Sequence, residues 1–129
     1  VKVKEGKDIA ILSIGTMIHN AKKAIERLSE KGLDVALYDF KFLKPLDKDL
    51  ANEALSGYKY ILTVEDGCIN GGFGSAIAEY ACENGFSNSI KRIGIPDNFV
   101  EHGSVSQLQK LCGMDAESIA EEAIKMIEK

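Results

Sequence analysis

Ile9-Ala10-Ile11-Leu12-Ser13-Ile14 is apolar at every position but one and runs straight into Gly15. Six residues are too few for a buried helix, and an extended chain shows alternate side chains to opposite faces. A strand that is apolar on both faces must be covered on both. Residues 34–40, 60–64 and 90–95 have similar character.

Helical patterns separate these strands. Ala21, Ala24, Ile25 and Leu28 share one helical face, while Lys22, Lys23, Glu26, Arg27, Glu30 and Lys31 take the other. Gly32 stops that helix. Asp47 can cap a second helix carrying Leu50, Ala51, Ala54 and Leu55. A third is expected from about Ser75 to Glu83, burying Ile77, Ala78 and Ala81. The last starts near Asp115 and buries Ile119, Ala120, Ala123, Ile124 and Ile127; its Glu121 and Lys125 stand four apart in the favourable order. Lys2-Val3-Lys4 is a candidate extra edge strand, where lysine discourages stray pairing.

Strands alternating with helices over 129 residues predict one α/β domain, a parallel sheet between two helical layers. The 9–14 strand belongs between the 34–40 and 60–65 strands. Sites in such sheets lie at the carboxyl ends of the strands, where the strand order reverses. Thr16, Glu65 and Asp66 are therefore expected at one crevice.

Several function classes are disfavoured. Sixteen basic against twenty acidic residues give a net charge of -4, a poor balance for coating nucleic acid or an anionic membrane. No apolar run approaches the ~20 residues that cross a bilayer. Val1-Lys2-Val3-Lys4-Glu5-Gly6 is no secretory signal, and without an initiator Met the chain reads as a piece of something longer. Cys68, Cys82 and Cys112 are odd in number and lack CxxC spacing, which fits free thiols in a reducing cytoplasm. His19 and His102 are too far apart, with no third ligand in view, for a metal site.

Gly71-Gly72-Phe73-Gly74-Ser75 lies between a strand end and a helix start. Glycines there allow close backbone approach, and free N–H groups could hold an anion. The segment is neither a dinucleotide fingerprint nor a P-loop, so a tight turn, close packing or an interface competes with anion contact. Glu65 and Asp66 could divide acid and base roles, but neighbours on a strand point to opposite faces. In the loop 96–104, His102 with Glu101 could form an oriented base at an active-site rim. Ser104 and Ser106 lack the nucleophile elbow and are better read as helix caps. Phe40, Phe42 and Leu43 carry apolar surface into a loop that either packs on a partner or closes the core.

Taken in order, these stretches resemble the carboxyl-terminal domain of the transketolase family of thiamine diphosphate enzymes. The resemblance rests on Ile14-Gly15-Thr16-Met17, Phe40-Lys41-Phe42-Leu43-Lys44-Pro45-Leu46-Asp47 and Thr63-Val64-Glu65-Asp66-Gly67. It continues through Gly71-Gly72-Phe73-Gly74-Ser75, Gly94-Ile95-Pro96-Asp97-Asn98-Phe99-Val100-Glu101-His102-Gly103 and Gly113-Met114-Asp115-Ala116-Glu117. Lys41 stands where the family usually has Arg, and Glu65-Asp66 where it has Glu-Asn or Glu-Glu. The glycine turn and the 97–103 stretch are nearest the 1-deoxy-D-xylulose-5-phosphate synthase branch.

The resemblance implies a five-stranded mixed sheet in order 1-3-2-4-5 with strand 1 antiparallel, between helical layers, over residues 1–129. It implies a third domain that packs on two others and contributes to a cytoplasmic homodimer. In that branch the whole enzyme condenses pyruvate with glyceraldehyde 3-phosphate and releases carbon dioxide, making an isoprenoid and thiamine precursor. Thiamine diphosphate and magnesium are held by the other domains. This chain has neither the Gly-Asp-Gly diphosphate motif nor the cofactor-activating glutamate segment, so alone it is expected to be silent, with no catalytic or cofactor residue of its own. The same domain type occurs in transketolase and in 2-oxo acid dehydrogenase beta subunits. A stand-alone small-anion binding or assembly module is the alternative of another class.

Overall fold

The computed structural model describes residues 1–41, 45–68, 72–95 and 112–128. Five strands form one sheet: β1 (Lys2–Lys4), β2 (Ile9–Ile14), β3 (Val35–Phe40), β4 (Tyr60–Cys68) and β5 (Ser89–Ile95). Four helices are described: α1 (Ile18–Glu30), α2 (Lys48–Gly57), α3 (Phe73–Glu83) and α4 (Ala116–Glu128). The strand order is β1-β3-β2-β4-β5. β2 pairs in parallel with both β3 and β4, β5 pairs in parallel with β4, and β1 is antiparallel to β3. The mixed sheet and the central place of β2 both match expectation.

The two-faced burial of β2 organises the core. Ile9 and Ile11 join Met17, Ala21, Leu28, Leu62 and Ile119 on the α1 and α4 side. Ala10 and Leu12 join Tyr38, Phe40, Leu55, Phe73 and Ile77 on the α2 and α3 side. This is the three-layer α/β/α arrangement. All three residues of β1 are exposed, and its lysines meet acids at the sheet edge: Lys2 with Glu5 and Lys4 with Asp34, each at 2.7 Å.

Local chemistry sets the boundaries. Gly32 follows α1 with φ of +83°, where other residues are strained. The Asp47 carboxylate accepts from the Leu50 N–H at 3.0 Å and caps α2. α3 starts two residues before the expected Ser75, because Gly72 serves as its extended N-cap residue and Phe73 is already helical and buried. In α4, Ile119, Ala120 and Ala123 are buried, whereas Ile124 and Ile127 are only partly covered. Lys125 pairs with Glu122 at 3.6 Å rather than with Glu121, since the residue three positions back also lies on its side of the helix.

Phe40 decides between the two alternatives left open for it. It is 1% exposed and stacks obliquely on Phe73, ring centroids 4.9 Å apart. It closes the core on the α3 side and offers no surface to a partner. Phe42, Leu43 and Lys44 lie outside the described residues.

Candidate functional site

β2, β3, β4 and β5 run in one direction, so they end at one edge of the sheet. β4 is irregular there. Val64 pairs with Ile93 and Cys68 with Ile95, so β4 carries two more residues than β5 between these pairs. Glu65 and Asp66 sit in that bulge, a device that re-aims side chains at a sheet end.

The two acids take different surroundings. Asp66 is exposed, and its Oδ2 accepts from the Thr16 N–H at 3.1 Å and from the Thr16 hydroxyl at 2.9 Å. The crevice expected from the sequence thus brings Thr16 and Asp66 together. Gly15 makes this contact feasible. Its φ is +70°, and a Cβ there would lie 2.7 Å from Asp66 Oδ2.

Glu65 turns into the other layer. It is 2% exposed, and its Oε2 accepts from the Gly74 N–H at 3.0 Å in the first turn of α3. Its Oε1 and the hydroxyl of Thr63, two residues earlier, are buried and have no hydrogen-bond partner among the described residues. Burial raises the Glu65 carboxyl above its ordinary range, and nearby Asp66 adds to the rise. The Gly74 and Phe73 N–H groups and the Arg92 charge oppose it.

Arg92 completes the cluster. It stands opposite Thr63 on β5, and its Nη1 donates to the Ser75 hydroxyl at 2.9 Å. Nothing in the sequence marks it out, because Ser89 and Lys91 beside it make β5 half polar. Gly74 has ordinary φ, so its reason is space: a Cβ would lie 2.6 Å from Thr63 Oγ1 and 2.9 Å from Arg92 Cγ. Gly72 precedes the helix, and Gly71 lies outside the described residues, as do Glu101, His102, Ser104 and Ser106.

This arrangement bears on anion binding. The first turn of α3 already holds a carboxylate, so a phosphate placed there would meet a like charge at close range. No group of three potential metal ligands occurs among the described residues. The described residues do not fit the diphosphate of thiamine diphosphate or its magnesium. Exposed His19 is the second residue of α1. Cys82 is exposed, and Cys112 is a half-buried thiol whose burial pushes its pKa up, away from reactive thiolate.

A family model described as transketolase, C-terminal domain, matches residues 1–119. The chain belongs to the transketolase carboxyl-terminal domain family. A 1-deoxy-D-xylulose-5-phosphate synthase from Parabacteroides distasonis is 51% identical over 124 residues, covering 96% of this chain and 20% of that relative. The synthase of the same name from Bacteroides thetaiotaomicron is 48% identical over 128 residues, covering 98% of the chain and 20% of the relative. The chain thus spans about a fifth of the length of these curated relatives. Among solved structures, a split-gene transketolase described as an inactive beta4 tetramer superposes with a TM-score of 0.89 at 30% identity, over 97% of this chain and 41% of its own. A transketolase mutant from Pichia stipitis gives 0.67 at 21% identity, over 96% of this chain and 17% of its own, and shares the fold.

Proposed function

We propose that residues 1–129 are the carboxyl-terminal assembly domain of a longer, thiamine diphosphate-dependent 1-deoxy-D-xylulose-5-phosphate synthase. The observation that carries this reading is near-50% identity to synthases of that name over more than nine-tenths of the chain. The same identity favours this branch over transketolase itself and over 2-oxo acid dehydrogenase beta subunits. In the parent, pyruvate and glyceraldehyde 3-phosphate are condensed with loss of carbon dioxide, in a cytoplasmic homodimer. Thiamine diphosphate, with magnesium, supplies the carbanion chemistry from sites on the other domains.

The geometry supports an assembly role. Parallel strands make the chain leave β3, β4 and β5 at one edge, so the segments after Phe40, Cys68 and Ile95 all start there. At that edge the Thr16–Asp66 and Glu65–Gly74 bonds tie two helix starts to β4. One oxygen of each carboxylate is held by backbone or hydroxyl donors, so their work is to hold the surface presented to neighbouring domains.

The test is the whole gene product. The full reading frame is expected to be about five times as long as this chain and to form the deoxysugar phosphate in a cofactor-dependent assay. A truncation lacking residues 1–129 should lose that activity, and co-expression with this chain should restore part of it. A complete short frame, or full activity in the truncation, would overturn the proposal.

A further inference from the structure

At the opposite end of the sheet, where β4 and β5 begin, a groove of about 430 Å³ opens beside the last turns of α4. Its size falls within the ~300–1,000 Å³ of small-molecule sites. The groove is lined by apolar surface from Tyr60, Ile90 and Met126 and carries the Ser89 hydroxyl. Lys59 and Lys91 also line it, and neither has a carboxylate partner among the described residues. The Lys59 ammonium rests 5.3 Å from the centre of the Tyr60 ring. Lys125 and Glu122 also line the groove and pair with each other at 3.6 Å, which leaves Lys59 and Lys91 as the excess positive charge of the lining. The local balance is positive on a chain whose net charge is -4.

We propose that this groove binds a small organic phosphate, its anion drawn to Lys59 and Lys91 and its apolar body seated against Tyr60 and Met126. The polar groups set orientation, and the apolar lining supplies the contact that an inorganic ion cannot use. The site is separate from the edge where Thr16, Asp66 and Glu65 lie and does not depend on the assembly role.

The experiment is a titration of the chain with phenyl phosphate, followed by amide and methyl NMR shifts. Saturable shifts are expected at Tyr60, Ser89, Lys91 and Met126, with a Kd below roughly 5 mM. The double variant Lys59→Gln/Lys91→Gln should weaken binding about tenfold or more, as expected for loss of two charged donors. Lys22→Gln/Lys23→Gln, with the same change in net charge on exposed α1, should leave it within about twofold. All four lysines are exposed, so the variants fold as the parent does. Absence of saturation, or equal weakening in both double variants, would overturn the proposal. So would inorganic phosphate or neutral benzyl alcohol binding as tightly as phenyl phosphate.

Discussion

Replacing Gly74 by Ala tests whether the α3 start is fixed by space. The added Cβ would lie 2.6 Å from Thr63 Oγ1, 2.9 Å from Arg92 Cγ and 3.1 Å from Arg92 Cδ. Comfortable carbon contacts are about 3.5–4.0 Å. Thr63 is β-branched, stiff at χ1 and fully buried. Arg92 is tethered through Nη1 to Ser75. Relief therefore requires the start of α3 to shift, which stretches the Gly74 N–H to Glu65 bond from its 3.0 Å. Alanine gains up to about 1 kcal/mol of helix propensity. Overpacking costs about 1–3 kcal/mol, and a weakened bond to a charged acceptor adds part of a further ~1.5–3 kcal/mol. The net expectation is a loss of about 1–3 kcal/mol, read as a lower urea midpoint at unchanged slope. Gly74→Val, with two more methyl groups, should lose more. In a Thr63→Ala background the nearest clash disappears, so Gly74→Ala should cost about 1 kcal/mol less than in the parent. Equal midpoints for Gly74→Ala and the parent, or strict additivity with Thr63→Ala, would refute the account.

Other perturbations have distinct readouts. Glu65 has a folded pKa above its unfolded value, so the native state holds the proton longer and stability falls as pH rises from the unfolded pKa through the folded one. Glu65→Gln keeps an acceptor for Gly74 and should remove this slope, so urea midpoints of the two proteins should diverge in favour of Gln from about pH 4.5 upward; parallel pH profiles would refute it. Gly15→Ala should lose about 1–2 kcal/mol from its positive φ, and adding Asp66→Ala should recover only the part due to the 2.7 Å contact, as a double-mutant melt would show. At Gly6 a Cβ would lie 2.4 Å from the Ala36 nitrogen and 2.6 Å from the Val35 carbonyl carbon, both main chain. Gly6→Ala should release exposed β1, so hydrogen exchange should speed up in β1 while β2 and β4 keep their protection.

Much of the layer architecture was legible because β2 is apolar on both faces and α1 on one. The order β1-β3-β2-β4-β5 and the antiparallel β1 came from the family resemblance, since nothing in Lys2-Val3-Lys4 specifies a direction. The Asp47 cap was legible from its type and its place before Leu50. Phe40 was harder: for a phenylalanine beside Lys41, core and partner surface stay equally open until Phe73 from α3 is brought against it. Gly74 could be marked as a place of close backbone approach, but what approaches it, Thr63 and Arg92, comes from two strands. Gly6 gave no sign at all, because its neighbours Ala36 and Val35 come from another strand. At the site, Thr16 and Asp66 could be placed together from topology alone, whereas Arg92 acts through a partner 17 positions away.

The adjacent acids show how one strand end serves two layers. Ile61 lies in the core on the α3 side and Leu62 in that on the α1 side, and the alternation carries on to Thr63 and Val64. Glu65 accordingly reaches α3 and Asp66 reaches the turn before α1. Each accepts a main-chain N–H at or beside a helix start: Gly74 in the first turn of α3, and Thr16 in the 3-10 turn Gly15–Met17 that leads into α1. Helix starts expose unpaired N–H groups that such acceptors satisfy, although at Glu65 burial outweighs these N–H groups and raises the carboxyl above its ordinary range. The bulge in β4 lets the strand run two residues further than β5 requires, far enough to tie down both helices. A pair that resembles an acid–base couple in the sequence is divided by the sheet between them. Glu65→Ala should therefore speed amide exchange at the start of α3 and leave Thr16 unchanged, and Asp66→Ala should do the reverse. Loss of protection at both helix starts in either variant would mean that the two acids act as one site.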